Sequence, residues 1–180
     1  VDQLRIDLDP QPGVTFAMAV TAALELREVL SDAGLTGFCK TSGGRGVHVF
    51  APIVGTDFIE ARHATIAIGR ELARRLPEQV TVNWWKEERG ERVFVDFNQM
   101  ARDRLMTSAY SIRPTPRGLV SAPLDWAELP EVQPADFTLL TMPERFARGG
   151  DIWAGMDDLE PGSLQTALEW FDRDSAQGEG

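Results

Sequence analysis

One cysteine, Cys39, is all the sulfur-bridging chemistry these 180 residues have, so no disulfide can form within them. No apolar run approaches the ~20 residues that a membrane-crossing helix needs. No basic-then-apolar leader opens the sequence, and there is no internal repeat or low-complexity block. A cytoplasmic protein with no membrane partner is the expectation. Positive charge is also short. Lys and Arg number 18 against 28 Asp and Glu, a net charge of −10, which argues against a broad nucleic-acid-coating surface, because phosphate binding needs a positive footprint. The glycine-rich turn at 42–46 lacks the Gly-Lys-Ser/Thr ending of a Walker loop, and it does not match the dinucleotide fingerprint either.

What is present suits a single soluble domain with at most a small appendage. Hydrophobic residues make up 43% and charged residues 26%. Charge is uneven. Acid collects in the last third, at Asp125, Glu128, Glu131, Asp157, Asp158 and Glu160, while Arg89, Arg92, Arg102, Arg104, Arg113 and Arg117 make a basic stretch. A local positive groove in an acidic protein is therefore compatible with the composition. A strand begins at Leu4, almost immediately after Val1, and this leads us to expect further sequence upstream.

Alternation predicts a strand over 4–8, closed by Pro10, Pro12 and Gly13. Thr15 is placed to cap a helix over 16–33 that Gly34 ends. Two strands, 37–41 and 47–53, flank the turn, and Asp57 is placed to cap a second helix reaching Leu76. Residues 80–85 and 92–97 read as a hairpin across 86–91. Beyond Gln99 the pattern is irregular, with an extended piece at 109–113, a helical turn at 125–129, short helices at 143–147 and 162–170, and a frayed tail from Ser175. The whole reads as α+β, with helices packed on a mainly antiparallel sheet, 1–130 forming the core and 131–180 a C-terminal helical segment.

Two strand segments carry carboxylates. Positions i and i+2 of a strand share a face and lie about 6.5 Å apart, so Asp7 and Asp9 can converge, opposite Leu4, Ile6 and Leu8. Alone, an Asp-x-Asp also suits a solvated strand face before an Asp-Pro turn. Asp96 sits in a second apolar alternation, where an aspartate is disfavoured and costly if buried unpaired. Three carboxylates in one cleft repel one another, and a cation is the natural remedy. Hard oxygen ligands suit Mg²⁺ or Mn²⁺, and two ions about 3.5–4 Å apart would serve phosphoryl transfer.

Ser42-Gly43-Gly44-Arg45-Gly46 offers small residues whose N–H groups can approach an anion, with Lys40 and Arg45 adding charge and Ser42 a hydroxyl. An ordinary hairpin turn is the competing reading. His48 could donate to a phosphate or ligate a metal. Arg113 precedes Pro114 on an extended piece and is either a phosphate clamp or a surface residue. Gln99 lies three residues past Asp96, within reach of the same cleft. Trp84 and Trp85 read mainly as core, with base stacking as the alternative for one of them. His63 reads as a surface residue and Cys39 as a small buried one.

In this order, Arg5-Ile6-Asp7-Leu8-Asp9-Pro10, Lys40-Thr41-Ser42-Gly43-Gly44-Arg45-Gly46-Val47-His48-Val49, Val93-Phe94-Val95-Asp96-Phe97 and Ala109-Tyr110-Ser111-Ile112-Arg113 resemble the polymerase domain of bacterial ligase D and its stand-alone relatives, in the archaeo-eukaryotic primase superfamily. The likeness continues through Val120-Ser121-Ala122-Pro123-Leu124-Asp125-Trp126 to Leu129. It implies a primase-like core that adds nucleotides, ribonucleotides included, to primer 3′ ends in end joining, gap filling or priming. It implies Asp7, Asp9 and Asp96 as catalytic metal ligands for a pair of Mn²⁺ or Mg²⁺ ions. Lys40, Ser42, Gly43, Arg45, Gly46, His48, Gln99 and Arg113 would hold the nucleotide. Implied partners are nucleoside triphosphates, a DNA primer-template or DNA ends, a DNA ligase and an end-binding protein, acting at the bacterial nucleoid. Two departures stand out. Relatives carry about a hundred residues ahead of the Asp-x-Asp strand, so the family's N-terminal region is lacking here, and Met100 occupies a position that is often polar.

Two other classes stay open. Asp-Leu-Asp after an apolar strand also opens haloacid-dehalogenase-type phosphatases, where the first Asp is a nucleophile, but that fold needs a parallel sheet and a later Lys. A catalytically inactive nucleotide-binding subunit would bind nucleotide without needing divalent metal.

Overall fold

The computed structural model describes residues 1–178. Strict alternation makes β1 (Gln3–Pro10) the centre of the molecule: Leu4, Ile6 and Leu8 are fully buried on one face, and Arg5, Asp7 and Asp9 lie on the other. Around it are β2 (Phe38–Thr41), β3 (Val47–Pro52), β4 (Val80–Thr81), β5 (Val93–Asp96) and β6 (Pro123–Leu124). The sheet order is β4-β5-β1-β3-β2-β6. All neighbours are antiparallel except β4 and β5. The strand bearing Asp7 and Asp9 is thus antiparallel to both its neighbours, unlike the parallel sheet that the dehalogenase reading requires.

The described residues also form α1 (Phe16–Asp32), α2 (Phe58–Arg75), α3 (Lys86–Arg89), α4 (Met142–Gly149) and α5 (Gln165–Ala176). The buried stripe of α1, including Ala19, Ala23, Leu26 and Leu30, joins Leu4, Ile6, Leu8, Val47, Val49, Val93 and Val95 in one core. Each fully buried leucine contributes about 1.5–3 kcal/mol relative to exposure. Asp57 caps α2 by accepting from the N–H groups of Ile59 and Glu60. Thr15 has the extended backbone of a cap but its side chain makes no capping bond.

α5 packs on α2, and charge ties the helices together. Arg75 reaches Glu25 and Asp32 of α1 as well as Glu71. Asp174 is fully buried and is held by Arg74 at 3.3 Å and Arg173 at 2.9 Å. Two guanidinium partners offset the cost of burying that carboxylate.

The expected hairpin at 80–97 is corrected. Only Val80 and Thr81 pair with β5, and they run parallel to it, so they need a crossover and not a two-strand turn. Lys86–Arg89 forms one helical turn, ended by Gly90 at φ 58°. Arg89 folds back to donate to the carbonyls of Asn83 and Trp84, with its guanidinium 3.4 Å from the Phe94 ring centroid. Arg92 donates to the carbonyls of Arg89 and Glu88. Part of the basic stretch is therefore spent inside the fold. Trp84 and Trp85 are 51% and 64% exposed, which corrects their reading as core.

Residues 101–160 are largely irregular apart from β6 and α4. Trp153 packs on Phe38 and Phe50 and donates to the Cys39 carbonyl. The short helices fall at 142–149 and 165–176, and Ser175 and Ala176 are helical where fraying was expected. Glu179 and Gly180 of that tail lie outside the described residues. His63 is half-buried and stacks on Phe171 at 4.1 Å, which corrects its reading as a surface residue.

Candidate active site

Register alone builds the site. Asp7 is the direct cross-strand partner of Asp96 on one side and of His48 on the other, and His48 in turn faces Lys40. Direct partners project to the same face. A polar row, Asp96–Asp7–His48–Lys40, therefore crosses four strands on the face away from α1, with Asp9 two residues along β1.

The carboxylate end is crowded. Asp7 is raised from 3.8 to about 7, first by burial and then by Asp9 and Asp96, with Lys40 and Arg113 opposing. Asp96 is held in place by neighbours. Its oxygens accept from the Asn98 N–H and side-chain amide and from Gln99 Nε2 at 2.9 Å. Gln99 thus reaches the site through Asp96. Asp9 accepts from Gln11 Nε2. Met100 is buried, and its sulfur receives the Arg5 N–H.

Among the described residues, no three His, Cys, Asp or Glu side chains stand as a ready-made metal cage. The donor set nevertheless fits divalent cations. Three carboxylates share one face, burial and then that proximity raise the pKa of Asp7, and among the described residues neither Asp9 nor Asp96 has a cationic side chain within ion-pair distance. Hard anionic oxygens of this kind match Mg²⁺ or Mn²⁺.

The other end is tightly specified. Lys40 is fully buried. Its Nζ contacts His48 Nδ1 at 2.7 Å, the Thr107 carbonyl at 2.8 Å and Ser121 Oγ. The expectation that Lys40 offers its charge to a phosphate is corrected: three protein acceptors enclose the ammonium. Burial lowers its pKa to about 7, with Asp7 opposing. Burial, then Lys40 and Arg113, hold His48 well below the usual imidazole range, so it is neutral. His48 Nε2 lies 3.5 Å from Asp7 Oδ1.

The loop at 42–46 is a tight hairpin. The Ser42 N–H donates to the Gly46 carbonyl, and Ser42 Oγ accepts from the N–H groups of Gly44 and Gly46. Two of the expected anion-facing donors are therefore used within the loop. Among the described residues, the N–H groups of Gly43 and Arg45 meet no acceptor, and Ser42 keeps its own hydroxyl hydrogen. The glycines are dictated by contact. A Cβ at Gly46 would lie 2.3 Å from the Leu8 carbonyl oxygen. One at Gly43, whose φ is +71°, would lie 2.5 Å from Arg113 Cγ. Arg113 thus lies along the loop, and its charge is felt at Asp7, Lys40 and His48. Its guanidinium donates to Thr107 Oγ1 at 2.6 Å. Arg45 is exposed and donates to the Pro10 carbonyl at 3.1 Å, near the end of β1.

Other residues around the site escaped the sequence reading. Ser121 and Thr107 close over Lys40 from the irregular segment. Tyr110 sits at φ 63°, an uncommon value for a bulky residue, and its hydroxyl donates to Asp151. Asp9 and Asp96 also open onto a cleft of about 510 Å³ lined by Trp84, Trp85, Lys86 and Asn98.

The family model for the LigD primase-polymerase domain matches residues 1–153. The multifunctional non-homologous end joining DNA repair protein LigD of Mycobacterium tuberculosis is 32% identical over 162 residues, covering 88% of this chain and 21% of its own length. The bifunctional end joining protein LigD of Bacillus subtilis is 33% identical over 151 residues, 82% of this chain and 25% of that protein. Pseudomonas aeruginosa LigD is 33% identical over 159 residues, 85% and 19%. The chain thus spans a quarter or less of these relatives. Among solved structures, the polymerase domain of M. tuberculosis ligase D in complex with DNA superposes with a TM-score of 0.81 at 31% identity, over 89% of this chain and 56% of that one.

Proposed function

Because this chain belongs to the LigD primase-polymerase domain family, we propose that it is the catalytic core of a DNA-directed nucleotidyltransferase. It extends primer 3′ ends, accepts ribonucleotides, and acts in DNA end joining, gap filling or priming. A DNA ligase and a DNA-end-binding protein are its proposed partners, at the bacterial nucleoid. The observation that carries this reading is the Asp96–Asp7–His48 register, with Asp9 beside it and the Ser42–Gly46 loop at its edge.

Asp7, Asp9 and Asp96 are the residues that would hold two divalent ions, Mn²⁺ or Mg²⁺. When bound, such ions activate the attacking oxygen and stabilise the leaving one. The chain's own residues do the positioning, which dominates phosphoryl transfer. Ser42, Arg45 and Arg113 surround the place for a triphosphate, and Gly43 and Gly46 let backbone and guanidinium come close. His48 donates toward the same phosphates. Gln99 and Asn98 fix the rotamer of Asp96. Displacement at phosphorus is in line, so the attacking 3′ oxygen must come from the side opposite the pyrophosphate. On that side the cleft beside Asp9 and Asp96 offers Trp84 and Trp85 as stacking surfaces and Lys86 as a phosphate partner.

The test is template-directed extension of a labelled primer by the protein with Mn²⁺ or Mg²⁺ and nucleoside triphosphates. Incorporation that depends on metal and on template is expected. Nucleotide binding without any incorporation, and without a need for divalent metal, would instead favour an inactive binding subunit.

A further inference from the structure

Lys40 is a buried cation with a role unlike that of the other basic residues at the site. A lysine ammonium has three hydrogens and no lone pair. Two of the groups around it can only accept. The Thr107 oxygen is a carbonyl, and Ser121 Oγ directs its own hydrogen at the Thr41 carbonyl at 2.8 Å. The third is His48 Nδ1, at 2.7 Å. The Phe50 ring, 5.5 Å from Nζ, takes up part of the remaining space, and Lys40 itself is fully buried. With Lys40 in its ammonium form, as it is below about pH 7, and two hydrogens committed, the third points at Nδ1, which must then present its lone pair. In a neutral imidazole the proton is then on Nε2. At that end Asp7 Oδ1 lies 3.5 Å away, and as a carboxylate it is an acceptor compatible with the same tautomer. The hydrogen bond from Lys40 is the contact that selects it.

We propose that Lys40 is a positioning residue that fixes His48 as the Nε2–H tautomer, making it a hydrogen-bond donor to the nucleotide's phosphate and not a metal ligand. A metal ligand would need a lone pair at Nε2, and Nδ1, the nitrogen left with one, faces the protein interior. Ser121, by accepting from Lys40 while donating to Thr41, holds the ammonium in register. The proposal rests on the nucleotide-binding reading of this face, but its first test needs no activity.

The chain has two histidines, so long-range ¹H–¹⁵N spectra of the ¹⁵N-labelled protein contain two imidazoles, and His63→Gln assigns them. At pH 6, where Lys40 is charged, the expected signature of His48 is a protonated Nε2 and an unprotonated Nδ1. Lys40→Met should give a tautomer mixture or an Nδ1–H ring. Lys40→Gln keeps an amide donor and should retain Nε2–H. In extension assays, Lys40→Met and His48→Ala should each raise the nucleotide KM by about tenfold, the scale of one hydrogen bond to a charged group, and the double variant should cost little more than either single change. An Nδ1–H ring in the unsubstituted protein overturns the proposal. So does a folded Lys40→Met variant with an unchanged His48 signature, or full additivity in the double variant. Should Lys40→Met fail to fold, the decision falls to the unsubstituted protein and Lys40→Gln, where an Nδ1–H ring in either overturns it. An Nε2–H signature in a protein that incorporates no nucleotide would leave the tautomer assignment standing and sink only the polymerase reading.

Discussion

The two ends of the polar row obey opposite rules. At Asp96, Asp7 and Asp9, burial and then the crowding of like charges push Asp7 up to about 7. At His48 and Lys40, Nζ and Nδ1 are bonded within the protein, and neither side chain has much freedom left. One end is crowded in a way that a bound cation would relieve. The other is finished by the fold itself. The catalytic half of such a site can therefore cost stability while the recognition half is held rigid, and substitutions should separate the two.

The largest effect belongs to the carboxylate end. Asp9→Asn should lower primer extension by on the order of 10³-fold, the scale seen when an electrostatic contact to the transition state is lost. It should not lower the melting temperature of the metal-free protein, because it removes one of the charges that crowd Asp7. A variant that lost activity only by unfolding would erase the contrast between the two ends.

The pH dependence follows from the same burial and crowding. Asp7 has a folded pKa of about 7 against an ordinary 3.8, so between those values the folded, metal-free protein binds more protons than the unfolded chain. Stability from this group is present at low pH and is lost as pH rises toward 7. Divalent ions need the ionised carboxylate, so metal affinity should move the other way, weakening as pH falls below about 7 with proton uptake on metal release. Calorimetry in buffers of different ionisation enthalpy reads that proton directly. Metal binding with no proton exchange at pH 6.5 would break the assignment.

The recognition end should answer to shape more than to charge. Gly46→Ala would drive a Cβ into the Leu8 carbonyl oxygen at 2.3 Å. Backbone cannot yield there as a side chain can, so a cost of about 1–3 kcal/mol in stability is expected, read by chemical denaturation, together with a raised nucleotide KM. A fully stable variant would show that the loop at 42–46 is looser than its contacts imply.

The same contrast explains what could be read from the sequence. The alternation Leu4-Ile6-Leu8 against Asp7-Asp9, and Val93-Val95 against Asp96, is a local signal, and so both strands and their facing side chains were legible. The glycines at 43 and 46 were legible as a turn. The burial of Lys40 was not, because Ser121 and Thr107, which enclose it, lie in an irregular segment with no period to read. The pairing of Val80 and Thr81 was misread for a related reason. A two-residue parallel strand is specified by the α2–β4 connection and not by its own pattern. The arginines of the basic stretch looked equivalent in sequence, and only folding distinguishes those that cap carbonyls from those that face solvent.

That last distinction gives the smallest effect and extends the comparison to the surface proposed to meet DNA. Arg102 and Arg104 are exposed and their guanidinium groups make no hydrogen bond or ion pair among the described residues, whereas Arg92 donates to the carbonyls of Arg89 and Glu88. An arginine free to meet a phosphate releases a counterion when it binds, so Arg104→Ala should make the plot of log binding constant against log salt shallower by about 0.9 for duplex DNA. The loss should be similar for every sequence tested, since phosphates carry no base identity. Arg92→Ala should leave that slope unchanged and act instead on stability, because its guanidinium is already engaged by backbone. Fluorescence anisotropy titrations of a labelled primer-template at several salt concentrations measure both variants side by side. Equal slopes for the two would mean that exposure does not sort these arginines, and the positive surface would then have to be sought elsewhere on the molecule.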